Sequence, residues 1–211
     1  MTGWRRWWIP IILGVACVGA LGSAAQEPAP PPPSSAGQAR SAAASSGKQL
    51  IVYVQQPVFG KRTLRVGLID YGHTFLGIRD PATGFEQKFG FYPSAKAKLM
   101  LHGHTSGAVH SDEAAPWDVR MVYNISEDDA RRLIMSISAQ LPDGKAPDFD
   151  MKGNNCSTWA LSEARIAGVE VKTKQRCKDQ VCVNVPADIG QDLIEAGGEV
   201  NKVPWRAHGG H

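Results

Sequence analysis

Gly72-His73-Thr74-Phe75-Leu76-Gly77-Ile78-Arg79-Asp80-Pro81-Ala82-Thr83-Gly84-Phe85-Glu86-Gln87-Lys88-Phe89-Gly90-Phe91-Tyr92 is the stretch that sets the architecture. Its first part, His73 to Arg79, is an apolar run of strand length. Asp80 to Gly84 then gathers residues that reverse a chain. Asp hydrogen-bonds its own backbone, Pro presets φ and Gly tolerates positive φ. Phe85 to Tyr92 returns as the partner strand, so the segment predicts a β-hairpin. Upstream, Leu50 to Val54 reads as a strand, and Thr63 to Tyr71 as another, with Leu64, Val66 and Leu68 alternating against Arg65 and Gly67. Downstream, Trp117 to Ile125 places Val119, Met121, Tyr123 and Ile125 on one face.

Helices follow the strands. Ser126 is a cap with Asp129 in the capping-box position, and Leu133, Ile134, Ile137 and Leu141 form the predicted buried stripe, ended by Pro142-Asp143-Gly144. Asn155 or Asn154 caps the next helix, which runs to Gly168. Val169 to Thr173 and Val181 to Val185 read as short strands. Pro186 opens a last helix with Ile189, Leu193 and Ile194 apolar, ending at Gly197-Gly198. Ser94 to Pro116, with its glycines and three histidines, predicts a solvated loop or substrate-facing lid. Strands clustered ahead of helices give an α+β class with a mainly antiparallel sheet.

The ends read differently from the middle. Arg5 and Arg6 precede an apolar run from Trp7 to Leu21, and small residues reach Ser23-Ala24-Ala25. Residues 1–25 are therefore expected to be an export signal cleaved before Gln26. An uncleaved membrane anchor is the alternative, and Trp4, Trp7 and Trp8 suit an interface in either case. A lipid-modified Cys17 is a third option, with Gly14 an unfavourable residue three places before it. Residues 26–48 form a Pro/Ala/Ser-rich linker, too poor in apolar side chains to offset its ordering entropy. Residues 49–204 are long enough for one folded domain with a proper core. Residues 205–211 are a tail. The formal net charge of +3 includes the two leader arginines, and no basic stripe appears, so nucleic acid is not an expected partner.

Four cysteines are present. Cys177 and Cys182 flank a tight polar turn, which predicts a disulfide in an exported protein. Cys17 leaves with a cleaved signal. Cys156 is then the odd thiol, in Asn154-Asn155-Cys156-Ser157-Thr158-Trp159, the first turn of a predicted helix. Helix-start N–H groups favour the thiolate, and an imidazolium favours it further. His73 on its apolar strand is the candidate imidazole. Backbone N–H groups of Cys156 and its neighbours would also suit an oxyanion, at about 2.7–4 kcal/mol per donor. The plain alternatives are a buried structural cysteine and a core histidine.

Gly72-His73 opening a strand, a hairpin, and then Asn155-Cys156 opening a late helix resemble the circularly permuted branch of the NlpC/P60 papain-like superfamily. In that branch the histidine strand precedes the cysteine helix. The resemblance spans roughly Thr63 to Leu193. It implies a papain-like fold with the sheet packed against the cysteine-bearing helix, Cys156 as nucleophile and His73 as base. It implies cleavage of an amide in peptidoglycan stem peptides or crosslinks, with no cofactor. A third residue should orient the imidazole. Tyr92 near the position opposite His73, Asp112 beyond the loop and Asn155 at the helix cap are the candidates, with Asp70 and Tyr71 bordering the site.

Other functions stay open at this point. His102-Gly103-His104 with His110 and Asp112 could ligate a metal, although their spacing fits no strong zinc pattern. The same superfamily includes acyltransferases and esterases acting on lipid or another envelope substrate. A non-catalytic exported binding module would also explain the leader and linker. A secreted wall-degrading effector is a further possibility, against which the leader favours a resident enzyme of the periplasm or envelope, with a membrane tether through the N-terminus if the leader is retained.

Overall fold

A central strand, β1 (Lys48–Gln55), is buried from Leu50 to Val54 without alternation. The reason is its position. It pairs antiparallel with β2 (His73–Arg79) on one side and with β5 (Val119–Ile125) on the other. Both of its faces are also covered, as a run of β-branched and aromatic residues requires. The computed structural model describes residues 47–63, 71–141, 145–178 and 180–202. Among them, β3 (Glu86–Pro93), β4 (His104–Ser111) and β6 (Asp148–Asp150) extend the sheet beyond β2, while β9 (Glu199–Val200) borders β5. The resulting seven-stranded order is β6-β4-β3-β2-β1-β5-β9, with every pairing antiparallel.

The hairpin forms as its sequence predicts. Leu76 pairs with Phe89 and Arg79 with Glu86. Asp80 Oδ1 accepts from the Ala82 N–H at 2.9 Å, and Gly84 takes φ of 72°. Helices α2 (Glu127–Ser138), α3 (Cys156–Ile166) and α4 (Pro186–Glu195) cover one face of the sheet. They bring Ala130, Leu133, Ile137, Trp159, Ala160, Leu161, Ile189 and Leu193 against Leu50, Val52, Val54, Leu76, Phe91 and Val119. The opposite face carries a smaller cluster of Ile51, Tyr53 and Phe75, with Trp117 against it. The structure is thus α+β with a mainly antiparallel sheet.

Several sequence expectations require correction. Ser94 to Pro116 is not a loop: it holds helix α1 (Lys96–His102) and strand β4. β4 was hidden because Thr105 and Val109 are its only fully buried side chains. Val169 to Thr173 is not a strand. Val169 and Val171 fill the core from irregular chain, and the Val169 N–H is taken by the Ala164 carbonyl as α3 ends. Ile134 is 41 % exposed, because the buried stripe of α2 runs through Ala130, Leu133 and Ile137 and leaves it on the flank. Of the strand expected over Thr63 to Tyr71, Thr63 and Tyr71 are non-strand and residues 64–70 lie outside the described residues. The leader at 1–25, the linker up to residue 46, the stop at Pro142-Asp143-Gly144 and the tail also lie outside them.

The short ribbon β7 (Arg176–Lys178) and β8 (Val181–Val183) is closed by the Cys177–Cys182 disulfide. Arg176 ties it to α4 through two bonds to buried Asp188, at 2.5 and 2.9 Å. A disulfide of this kind belongs to oxidising compartments. No helix among the described residues is long and apolar enough to cross a membrane.

Candidate active site

Cys156 is the first residue of α3. The Asn155 side chain caps the helix, accepting from the Ser157 and Thr158 N–H groups at 2.9 and 3.0 Å. Its amide donates to the carbonyls of Met151 and Asn184 at 3.3 and 3.1 Å. The cap is therefore held on both sides, and the second anchor lies just after the disulfide ribbon. Asn155 consumes the Ser157 and Thr158 donors, which narrows the expected oxyanion site. The Cys156 N–H is the helix-start donor left outside the cap.

His73 is the first residue of β2 and is buried. Its Nε2 lies 3.2 Å from Asp112 Oδ2. The other carboxylate oxygen accepts from the Tyr92 hydroxyl at 2.8 Å. Rings also hold the imidazole: Phe75 stacks at 5.5 Å and Tyr92 lies at 4.4 Å between centroids. Asp112 arrives because β4 returns alongside β3 and ends one residue before it. Gly90 on β3 makes the space. A Cβ there would fall 1.9 Å from Asp112 Oδ2 and 2.6 Å from His73 Nε2. The isolated glycine in Phe89-Gly90-Phe91 is the sequence's own signal of this close approach.

Cys156 and His73 line the same groove, and each shifts the other's pKa. Burial opposes the imidazolium, but bonds to Asp112 and Cys156 outweigh it and raise the His73 pKa above its ordinary value. Burial likewise opposes the thiolate. The hydrogen bond and charge of His73, the Thr74 backbone N–H and the Ser157 side chain outweigh that and lower the Cys156 pKa. The Thr74 and Ser157 hydroxyls lie 2.9 Å apart and join β2 to the helix start. Burial first, and then the Asp112 charge, push Tyr92 far above the usual phenol range, so it remains a donor to the carboxylate.

Alkylation of Cys156 by iodoacetamide, followed against pH by peptide mass mapping, should titrate below an ordinary thiol. In His73→Ala burial is opposed only by the Thr74 N–H and the Ser157 side chain, so the midpoint should move up from its wild-type position. Equal midpoints in the two proteins would mean that no ion pair forms.

The pair lies in a groove of about 450 Å³ whose lining includes Tyr92, Lys96, Leu99, Phe149, Met151 and Asn184. The other histidines do not converge on it as ligands. His102 and His104 have ring centroids 6.4 Å apart, and His110 lies beside Tyr92 at 5.9 Å. Asp112 is engaged with His73 rather than with them. No group of three or more His, Cys, Asp or Glu side chains among the described residues could hold a metal ion.

Fold and site together define an α+β protein with a cysteine and a histidine in one groove and an aspartate hydrogen-bonded to the histidine. No family model matches the sequence, and no curated protein matches it. Among solved structures it is similar to the crystal structure of a type VI secretion system effector, TseH, at 15% identity and a TM-score of 0.44. The match covers 71% of this chain and 90% of that one. At that distance the likeness says nothing of activity.

Proposed function

We propose that this protein is an exported thiol hydrolase of the permuted NlpC/P60 papain-like kind, cleaving amide bonds in peptidoglycan stem peptides or crosslinks. The observation that carries the reading is the Cys156–His73–Asp112 series at a helix start, open to a groove. Cys156 sulfur attacks the carbonyl carbon, and the oxyanion is met by the Cys156 N–H. The C–N bond then breaks, and the leaving amine takes its proton from His73. Water attacks the resulting thioester while His73 accepts its proton. The acid departs and the thiolate–imidazolium pair is restored. Asp112 and Tyr92 are positioning residues: they hold the ring and stabilise its charge. The disulfide supports the exported setting, in the periplasm or cell envelope.

The apolar residues of the groove favour a second reading, in which the same thioester chemistry serves ester cleavage or acyl transfer. One experiment separates the two. The oxidised protein is incubated with purified peptidoglycan, and released fragments are identified by mass spectrometry. New amine and carboxyl ends at one stem-peptide bond are expected. Intact wall material, together with hydrolysis of a lipid ester in a parallel assay, would replace the first reading by the second.

A further inference from the structure

Lys96 is the one side chain of fixed charge among the described residues lining the groove, apart from the Cys156–His73 pair itself. Among the described residues no aspartate or glutamate shares that lining. Lys96 opens α1 and is exposed, while Leu99, three residues on, meets the same groove from the same helix face. Phe149 of β6 and Met151 just beyond it add apolar surface. The thiolate, the imidazolium and the Asp112 carboxylate bonded to it sum to one negative charge, so the field that favours an anion is local to the Lys96 ammonium, beside the low-dielectric walls of the groove.

We infer that the groove selects acyl substrates carrying a free carboxylate beside an apolar side chain, with Lys96 pairing the carboxylate and Leu99, Phe149 and Met151 holding the apolar group. The inference deepens the proposed function and rests on it for the identity of the nucleophile. Lys96 is a specificity residue: it takes no part in bond making, and its removal should cost carboxylate-bearing substrates more than neutral ones.

The test uses two reagents that alkylate the same sulfur, anionic iodoacetate and neutral iodoacetamide, on the full-length oxidised protein. A unit charge a few ångströms from the reagent changes its rate by about fivefold even at the dielectric constant of water. The iodoacetate-to-iodoacetamide rate ratio at Cys156 should fall by about that factor in Lys96→Ala, and further in Lys96→Glu. The iodoacetamide rate is the internal reference: any effect of the variant on the thiolate enters both rates and cancels in the ratio. Lys98→Ala is the control, because Lys98 is exposed on the same helix outside the groove lining. A ratio unchanged in both Lys96 variants, or an equal fall in Lys98→Ala, overturns the inference. A second arm compares a stem peptide bearing free carboxylates with its carboxamide form. The wild type should favour the carboxylate, and Lys96→Ala should lose that preference through KM. If the ratio responds but neither peptide is cut, the anion preference stands and the stem-peptide reading fails. If both peptides are cut equally well by the wild type, the hydrolase reading stands and the anion preference is overturned.

Discussion

Cys156→Ala should abolish hydrolysis, with a loss on the order of 10⁴-fold or more, the range found when a covalent nucleophile is removed. Nothing nearby replaces the sulfur. The Ser157 hydroxyl is fully buried and bonded to Thr74, so it cannot swing into the groove as a substitute. The fold should survive, because alanine keeps the helix and the cap belongs to Asn155. A far-ultraviolet spectrum and melting temperature close to wild type, with no product from wall material, is the expected result. His73→Ala should lose nearly as much for a different reason: the thiol persists but is protonated at neutral pH, and the leaving amine finds no acid. Because the two act as one unit, the double variant should be little worse than either single one. The wild-type rate should rise as Cys156 ionises below the ordinary thiol value and fall as His73 loses its proton above the ordinary imidazole value. Wild-type turnover by Cys156→Ala would end the assignment.

How much of this was legible in the sequence depended on whether local pattern or distant pairing decides each element. The hairpin over His73 to Tyr92 was legible because its turn chemistry and its apolar strands agree. The Ser126 and Asn155 caps were legible because a side chain bonding its own helix start is a local event. The ribbon disulfide was legible from the short spacing of its cysteines. β4 was not, because most of its order comes from backbone bonds to β3 and β6 rather than from buried side chains. The loop expected over Ser94 to Pro116 likewise concealed α1, which carries Lys96 and Leu99 into the groove. Asp112 was one of three candidates for the third position, and no spacing rule could single it out. It is 39 residues from His73 in sequence, and only the return of β4 along β3 brings it there. The narrowing of the oxyanion donors to Cys156 was equally out of reach, since it depends on where the Asn155 oxygen points.

Gly90→Ala should lower kcat by about 10²-fold, although residue 90 touches no substrate in the proposed mechanism. Its φ is not the reason, since the positive-φ glycines lie elsewhere. The reason is space. A methyl group 1.9 Å from Asp112 Oδ2 and 2.6 Å from His73 Nε2 cannot coexist with either atom where it stands. The neighbours are not free side-chain ends that can turn aside. Asp112 is fixed by the Tyr92 hydroxyl, and His73 lies against Phe75 and Tyr92. The imidazole must shift or lose its carboxylate, and a displacement of about 1 Å in such a unit lowers the rate by about 10²-fold. Overpacking of this kind also destabilises by about 1–3 kcal/mol, so activity is compared at a temperature where the variant is fully folded. The distinguishing readout is the alkylation profile of Cys156. In Gly90→Ala its midpoint should move toward that of His73→Ala, and kcat should fall with KM nearly unchanged. Gly153→Ala serves as the control, since a Cβ there first meets an atom at 3.4 Å, an ordinary contact. A Gly90→Ala protein with wild-type kcat and a wild-type alkylation profile would show that the His73–Asp112 contact has no part in setting the thiolate.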